Sequence, residues 1–453
     1  MALSLAYSVD KNLTFKVSMR IVMLKAVEIK NFKSAEDLKL EFGRVNVFIG
    51  ENGSGKSTIL EALTFAAAAE SDRLDNEFLA NRGIRITTPQ FMRSRFDNAN
   101  LKKPISIRVI VDKFTPEDEI NIELSRNYLL DNDNKTYSSW KLIKDTILER
   151  GDQFKVSSFE IEKMKEDSLR IKNFLSKEDM DEFIQFVEDT EGKLQAAKIL
   201  DVLDSFKNDD ILKKLNDRSN QYKNVEDGIT EQLVFLKDFV IYSPQHHKLR
   251  NLIEEGSLRP LGVNGDGLFT LLREINKKQH DAIVDIENGL KLIGWYSSMS
   301  IPDHEDLLDD EILLKDKYLP VSFSQRSANE GFLYVLFYMA LIVSKDTPKI
   351  FAIDNIDSAL NPKLCRKIME YLVVLADKYG KQVFITTQNS AVLDGLDLSD
   401  EEQRLFVVSR DKQGRTKAKR LSPKKKLIDS EGQPMPLSEA MLRGYIGGLP
   451  KGF

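Results

Sequence analysis

A phosphate-binding loop is the clearest chemical feature of the sequence. Residues 50–58 read GENGSGKST, which matches G-x-x-x-x-G-K-[ST] through Gly50, Gly55, Lys56 and Ser57. Glycines let backbone N–H groups turn toward phosphate oxygens, and the following helix adds its positive dipole. Lys56 would reach the β- and γ-phosphates of ATP, while Ser57 would offer an oxygen to Mg²⁺. The remaining loop positions predicted to line the nucleotide are Asn52, Gly53, Ser54 and Thr58.

Asp354 supplies the second oxygen ligand that such a loop needs for its metal ion. It ends the apolar run KIFAID, and a further apolar run, QVFITT, ends at Thr387. An Asp at the end of a neighbouring strand holds Mg²⁺ directly or through water. The sequence therefore predicts ATP and Mg²⁺ as cofactors, with Ser57 and Asp354 as metal ligands.

Hydrophobic patterning predicts the elements that position these residues. The apolar run VNVFI precedes the loop as a buried strand, and a helix follows from Thr58 to Ala69. The segments ISIRVIVDKF and EINIELSRNYLL predict an antiparallel hairpin. In the final third, helices and strands alternate, which indicates a mostly parallel sheet. We expect an α/β fold with an added antiparallel β subdomain.

Three segments follow from this pattern. Residues 1–150 hold the phosphate loop and the β subdomain, and residues 241–453 hold the second half of the parallel sheet and a basic loop. Between them, residues 151–240 are mostly charged and helix-forming, with apolar residues at three- and four-residue spacing. This middle segment is predicted to be a helical insertion.

Composition excludes several classes of protein. The 453 residues are 42% hydrophobic and 30% charged with a net charge of −5, so bulk positive charge does not drive nucleic-acid binding. A single cysteine, Cys365, excludes an internal disulfide. The longest uncharged apolar stretch, residues 331–343, is shorter than the roughly 20 residues of a membrane span. No signal-peptide pattern is present, and we expect a cytoplasmic protein without membrane contact.

The loop and its flanks resemble the ATP-binding heads of the ABC-type superfamily, in the branch of RecF, SMC and overcoming-lysogenization-defect-like ATPases. The resemblance covers residues 26–63 and resumes over residues 322–396, so the two parts lie more than 250 residues apart. It implies an ABC-type P-loop head that is split by a helical or coiled-coil arm, with Asp354 as the Walker B carboxylate.

The same resemblance implies contacts across a dimer. The family signature L-S-x-G-E is matched by RSANE at residues 326–330, so Ser327 and Glu330 would face a nucleotide bound to a partner subunit. Asn329 stands where the family has glycine. Gln90 is the candidate for the family's metal-sensing glutamine.

Two positions depart from the family. Asn355 replaces the Glu that activates water, and Gln388 replaces the His of the switch strand. Neither amide takes a proton from water, although each can hold a water molecule by hydrogen bonds. We expect nucleotide binding with weak or absent hydrolysis, which leaves open whether the chain acts as an enzyme.

Within this branch the chain is most similar to the ATPase subunits of bacterial anti-phage systems such as the PtuA-type subunit of Septu and the comparable subunit of PARIS. The resemblance implies a regulatory subunit that dimerises around ATP and gates a separate nuclease subunit. The alternative is a RecF-like DNA-repair clamp that hydrolyses ATP on duplex DNA. Eight Lys or Arg residues from Lys412 to Lys426 would contact DNA, or would form a solvated hairpin tip.

Overall fold

The computed structural model describes residues 23–114, 122–133, 139–150, 154–157, 230, 233–250, 260–302, 311–421 and 435–447. The described strands, in chain order, are β1 (Ala26–Phe32), β2 (Ala35–Glu41), β3 (Val45–Ile49), β4 (Ile105–Phe114), β5 (Ile122–Asp131), β6 (Lys141–Arg150), β7 (Phe154–Ser157), β8 (Ile241–Tyr242), β9 (Tyr296–Ser300), β10 (Leu313–Asp316), β11 (Phe323–Ser324), β12 (Ile350–Ile353), β13 (Gln382–Thr387), β14 (Gln403–Arg410) and β15 (Thr416–Arg420).

The described α-helices are α1 (Lys56–Glu70), α2 (Asn76–Ala80), α3 (Pro89–Met92), α4 (His246–Arg250), α5 (Leu268–Lys278), α6 (His280–Leu290), α7 (Glu330–Val343), α8 (Pro362–Lys378) and α9 (Leu437–Leu442). Short 3₁₀ helices add Asn98–Lys102, Val234–Asp238, Gln325–Ser327 and Ser390–Gly395.

A six-stranded sheet forms the centre of the molecule. Its order is β15-β14-β3-β13-β12-β8, and every neighbouring pair is parallel except β14 with β15. The carboxyl ends of the five parallel strands therefore meet at one edge, where α/β proteins bind their ligands.

Both faces of this sheet are covered. Alternate side chains of β3 pack on opposite sides: Val45, Val47 and Ile49 join the core that contains α5 to α8, while Phe48 joins the core around α1. This two-residue alternation is what a strand between two helical layers requires. Helix α7 is buried from Phe332 to Val343, as its uninterrupted apolar sequence predicts.

An antiparallel sheet packs over α1. Its order is β2-β1-β4-β5-β6-β7. Helix α1 is buried from Ile59 to Glu70, with alanine at four successive positions that let the two sheets approach it closely. A third, three-stranded sheet in the order β11-β10-β9 leads directly into the 3₁₀ helix Gln325–Ser327.

The predicted fold class is confirmed. The mostly parallel sheet, the strand before the phosphate loop, the helix after it and the antiparallel β subdomain are all present. Strand β7 lies past residue 150, so the antiparallel sheet extends into the range assigned to the helical insertion. Residues 158–229, which make up most of that range, lie outside the described residues, and the insertion and its boundaries stay predictions.

Candidate nucleotide-binding site

Two glycines of the phosphate loop lie where no side chain fits. A Cβ atom on Gly50 would lie 2.1 Å from the carbonyl oxygen of Val408, and one on Gly55 would lie 2.1 Å from Thr416 Oγ1. Gly55 also has a φ of 107°, in the left-handed region that glycine adopts without a steric cost. The loop therefore lies directly against β14 and β15.

Two side chains of the β14–β15 hairpin hold the loop by hydrogen bonds. Thr416 Oγ1 donates to the carbonyl oxygen of Ser54 at 3.0 Å and lies 2.8 Å from the hydroxyl of Ser34 in the β1–β2 turn. Arg410 Nε donates to the carbonyl oxygen of Gly53 at 2.6 Å. The loop is thus supported by residues more than 350 positions away in the chain.

Lys56 lies inside the loop. Its Nζ donates to the carbonyl oxygens of Gly50 at 2.7 Å and Glu51 at 3.0 Å. Burial lowers the pKa of Lys56, and the negative charges of Asp354, Asp357 and Glu51 oppose that shift. The ammonium group is thus held at the point where phosphate oxygens would become its partners.

Ser57 and Asp354 meet as predicted. Ser57 Oγ donates to Asp354 at 3.3 Å from Oδ1 and 3.2 Å from Oδ2, although 297 positions separate the two residues. Asp354 follows β12, and Thr386 of the adjacent strand β13 donates a short hydrogen bond to its Oδ1. Parallel pairing of β12 with β13 and of β13 with β3 brings these groups to one edge.

This pair suits a hard divalent cation. Mg²⁺ takes oxygen ligands, usually one or two from the protein, with phosphate oxygens and water completing the octahedron. A hydroxyl and a carboxylate in contact provide such oxygens. A metal site built only from protein would need three or more His, Cys, Asp or Glu side chains close together. The described residues contain no such group.

The two amides that the sequence predicts as water-positioning residues lie on different parts of this edge. Asn355 has a φ of 56°, and its backbone N–H donates to Thr386 Oγ1 at 2.9 Å. Gln388 is exposed, and its Nε2 donates to Oδ1 of Asn52 at 2.6 Å. The switch-strand residue therefore contacts the phosphate loop directly.

Two further polar residues lie at this edge that motif matching did not select. Asp357 follows Asp354 by three positions, and its Oδ1 accepts a hydrogen bond from Thr387 Oγ1 at 2.7 Å. Gln245 comes three residues after Tyr242, which pairs in parallel with Ile353. Asp357 follows the end of β12, and Gln245 follows the end of the neighbouring strand β8. Their common position at this edge could be predicted only with knowledge of the strand order.

Gln90, the predicted metal-sensing glutamine, lies in α3. This short helix packs at the β1–β2 turn, where the carbonyl oxygen of Met92 accepts a hydrogen bond from the backbone N–H of Lys33 at 2.8 Å. No hydrogen bond in the described ranges joins Gln90 to Ser57 or Asp354. Its role as a metal contact stays a prediction.

The predicted signature segment, residues 326–330, forms the turn before α7 and its first residue. Ser324 accepts a hydrogen bond from Arg326 N at the start of the 3₁₀ helix, whereas Ser327 and Glu330 are exposed. Asn329, at the family's glycine position, caps α7 by accepting a hydrogen bond from Phe332 N at 2.8 Å. Its φ of −70° does not require glycine. The turn leaves Ser327 free to meet another molecule.

The basic stretch divides into two kinds of residue. Arg415 pairs with Glu36 at 2.8 Å, and Arg420 pairs with Glu401. Lys412, Lys417 and Lys419 are exposed on the edge hairpin. Residues 422–426 lie outside the described residues.

Comparison with known proteins places the site in a family. A family model described as "AAA domain, putative AbiEii toxin, Type IV TA system" matches residues 45–394. The DNA replication and repair protein RecF of Lactococcus lactis subsp. lactis (strain IL1403) is 47% identical over 55 residues, which is 12% of this chain and 15% of the relative. RecF of Listeria welshimeri is 46% identical over 55 residues, with the same coverage. This chain thus spans 15% of the length of these curated relatives.

Solved structures that match this chain include SMC heads. The SmcHead bound to the C-winged helix domain of ScpA has a TM-score of 0.49 at 14% identity, over 89% of this chain and 98% of that chain. The SMC head domain from Thermotoga maritima has a TM-score of 0.41 at 12% identity, over 88% and 99%. Within the described part of this chain, no helix is long and apolar enough to cross a membrane.

Proposed function

This chain belongs to the AAA-domain family whose model matches residues 45–394, and from that premise we propose that it is an ATP-binding regulatory subunit with slow turnover. It binds ATP with Mg²⁺, dimerises with two nucleotides in the interface, and gates a separate nuclease subunit of an anti-phage defence complex. ATP acts mainly as a ligand that selects one state of the complex.

The hydrogen bond between Gln388 and Asn52 carries this proposal. It joins the switch strand to the phosphate loop at 2.6 Å, so a phosphate entering the loop meets the switch residue. The amide of Gln388 cannot take a proton from water, but it can give up its hydrogen bond to Asn52 and form one to phosphate or water. A ligand shifts an equilibrium between two states when it binds them with different affinities. A state in which Gln388 contacts Asn52 and a state in which Gln388 contacts phosphate would differ in this way.

The dimer is supported by the positions of Ser327 and Glu330. Both are exposed, in the 3₁₀ helix and at the first residue of α7, where an N-terminal helix dipole favours an anionic phosphate. Within the described residues no hydrogen bond connects Ser327 to the phosphate loop of its own chain. A second copy would therefore complete each nucleotide site.

The defence role rests on family membership and the resemblance of the sequence. The family description names a putative toxin of a type IV toxin–antitoxin system. The described residues contain no cluster of metal-binding acids or histidines of the kind that a metal-dependent nuclease uses. We therefore assign DNA or RNA cleavage to a partner.

Nucleotide binding and hydrolysis by the purified chain, beside Lys56→Ala, test this function. Loss of the ammonium group removes charge-assisted bonds to phosphate, and we expect Mg-ATP affinity to fall by about 10- to 100-fold. We expect wild-type turnover well below the ~1 s⁻¹ lower range of ordinary enzymes. Turnover at an ordinary rate would contradict the regulatory role, and unchanged affinity of Lys56→Ala would contradict the site.

A RecF-like clamp on duplex DNA is the second candidate, and the exposed side chains of Lys412, Lys417 and Lys419 favour it. Lysines along an edge strand make salt-sensitive contacts with phosphates. Hydrolysis that duplex DNA stimulates at low salt, and that Lys417→Ala with Lys419→Ala weakens, would move this function to first place. Equal hydrolysis with and without DNA would exclude it.

A further inference from the structure

We propose that Asp357 is the carboxylate that holds and activates the attacking water in this chain, in place of the glutamate that the family carries at position 355. The inference rests on the proposed function, because it assigns the slow turnover of the same site to one residue. It predicts that the hydrolytic carboxylate has moved along the loop after β12 and has not been lost.

The backbone after β12 turns back toward β13. Asn355 adopts a left-handed conformation with a φ of 56°, and Ile356 N donates to the carbonyl oxygen of Thr386 at 3.1 Å. The hydroxyl of Tyr338 on α7 donates to the carbonyl oxygen of Ile356 at 3.2 Å. These bonds fix the turn from both sides, and the next side chain, Asp357, lies beside the end of β13.

The carboxylate of Asp357 is oriented by a buried hydroxyl. Thr387 Oγ1 donates to Oδ1 at 2.7 Å, and Thr387 itself has no exposed surface. Asn389 N donates to Thr387 Oγ1 at 3.0 Å, and Asp357 is the nearer acceptor for the threonine proton, since the carbonyl oxygen of Asn389 lies 3.5 Å away. Asp357 is half-buried, and its Oδ2 has no hydrogen bond within the described part of the chain. One oxygen is thus fixed, and the other is available to a water molecule.

Asp357 also lies at the edge of the sheet that carries the phosphate loop. Its partner Thr387 ends β13 and pairs in register with Ile49, the residue directly before the loop. The carboxylate is therefore at the carboxyl edge of the central sheet, beside the loop that would hold the γ-phosphate.

The reaction balances with this single carboxylate. The water oxygen forms a bond to the γ-phosphorus as the bond between that phosphorus and the bridging oxygen of ADP breaks. Asp357 accepts one water proton and releases it to solvent, so the products are ADP, inorganic phosphate and a proton. General-base assistance of this kind contributes roughly 10²- to 10⁴-fold to a rate.

Asp357→Asn tests the role with little change of shape. The amide oxygen still accepts the hydrogen bond from Thr387, but the group no longer takes a proton. We expect kcat to fall at least 100-fold while the KM for ATP and direct Mg-ATP binding change less than about threefold. Asp377→Asn is the matched control, since Asp377 pairs with Arg44 at the opposite edge of the sheet, and we expect wild-type rates from it.

A second pair of variants separates positioning of the carboxylate from a structural effect. Thr387→Val keeps the branched shape but removes the donor to Asp357, and we expect kcat to fall about tenfold. Thr387→Ser keeps the hydroxyl and should restore kcat to near the wild-type value. A purely structural role would instead lower the melting temperature of Thr387→Val and leave kcat of the folded protein unchanged.

The outcomes distinguish this inference from the proposed function. Wild-type kcat in Asp357→Asn overturns the inference, and so does a wild-type chain that binds Mg-ATP without turnover above that of Lys56→Ala. In both cases the regulatory role would stand. Failure of the wild-type chain to bind Mg-ATP would overturn the proposed function itself.

Discussion

At the residue scale, Asn355 shows how backbone conformation restricts the chemistry of a position. A φ of 56° costs an ordinary L-residue about 1–2 kcal/mol, whereas Asn and Gly adopt it readily. A glutamate at this turn would carry that cost. The amide is therefore consistent with the local backbone, and a carboxylate is better accommodated at Asp357, where β13 supplies a hydroxyl donor.

Lys381, at the opposite edge of the sheet, gives the molecule a pH dependence of its own. Burial lowers the pKa of Lys381 to about 7, with Lys349 adding to the shift and Asp346 opposing it. Its Nζ donates to Thr347 and Pro348 oxygens. Because the unfolded chain holds this proton up to about pH 10.4, it binds more protons than the folded chain between these two values.

Stability should therefore rise with pH through that window. We expect the free energy of unfolding of the wild type, relative to Lys381→Met, to increase by about 1 kcal/mol per pH unit from pH 7.5 to 9.5. Below pH 7 the difference should level off, since both states are protonated. Urea unfolding of the two proteins at matched pH measures it, and a constant difference across the range would contradict the lowered pKa.

At the element scale, the β14–β15 hairpin forms a support behind the phosphate loop. Thr416 is fully buried and contacts both Ser54 and Ser34, while Arg410 contacts Gly53. Loss of one buried hydroxyl that satisfies two neighbours costs about 1–3 kcal/mol. The hairpin therefore couples the shape of the loop to the edge strand of the sheet.

Thr416→Val tests this support. We expect it to lower the free energy of unfolding by about 1–3 kcal/mol and to weaken Mg-ATP binding, because the Ser54 carbonyl loses its donor. Thr416→Ser keeps the hydroxyl and should bind Mg-ATP nearly as the wild type does. Denaturant unfolding and nucleotide titration measure the two effects, and full affinity in a destabilised Thr416→Val would show that the hairpin does not shape the loop.

The elements around the nucleotide site differ in how far the sequence alone predicts them. The phosphate loop, the strand before it and the helix after it are continuous in the chain, so spacing alone predicts them. Asp354 was found because an apolar run ends there. The contacts of Thr416 and Arg410 with the loop span more than 350 positions, and the partner of Asp357 lies on a strand whose neighbours only the sheet order reveals. A sequence motif covers only residues that are close together in the chain, so it does not predict these contacts.

At the scale of the whole molecule, the proposed dimer divides each nucleotide site between two chains, with the phosphate loop from one chain and Ser327 from the other. The phosphate loop, Asp354 and Gln388 lie at the carboxyl edge of the central sheet, whereas Ser327 lies after the three-stranded sheet. In a two-fold symmetric pair, the phosphate loop of each chain would face Ser327 of the other, so that two identical sites would form at once. Nucleotide would then contribute binding energy to both chains.

Ser327→Arg tests this assembly without altering the loop that binds ATP first. The long, positively charged arginine side chain should block the close approach of a second chain. We therefore expect that this variant, in which Lys56 is unchanged, no longer dimerises when Mg-ATP is added. Affinity of the single chain for Mg-ATP should change less than about threefold, because Lys56, Ser57 and Asp354 remain.

Ser298→Arg, on exposed surface of β9, is the matched control and should still dimerise. Light scattering with a non-hydrolysable ATP analogue reads the mass directly, and a wild-type chain that stays monomeric under these conditions would contradict the two-fold site.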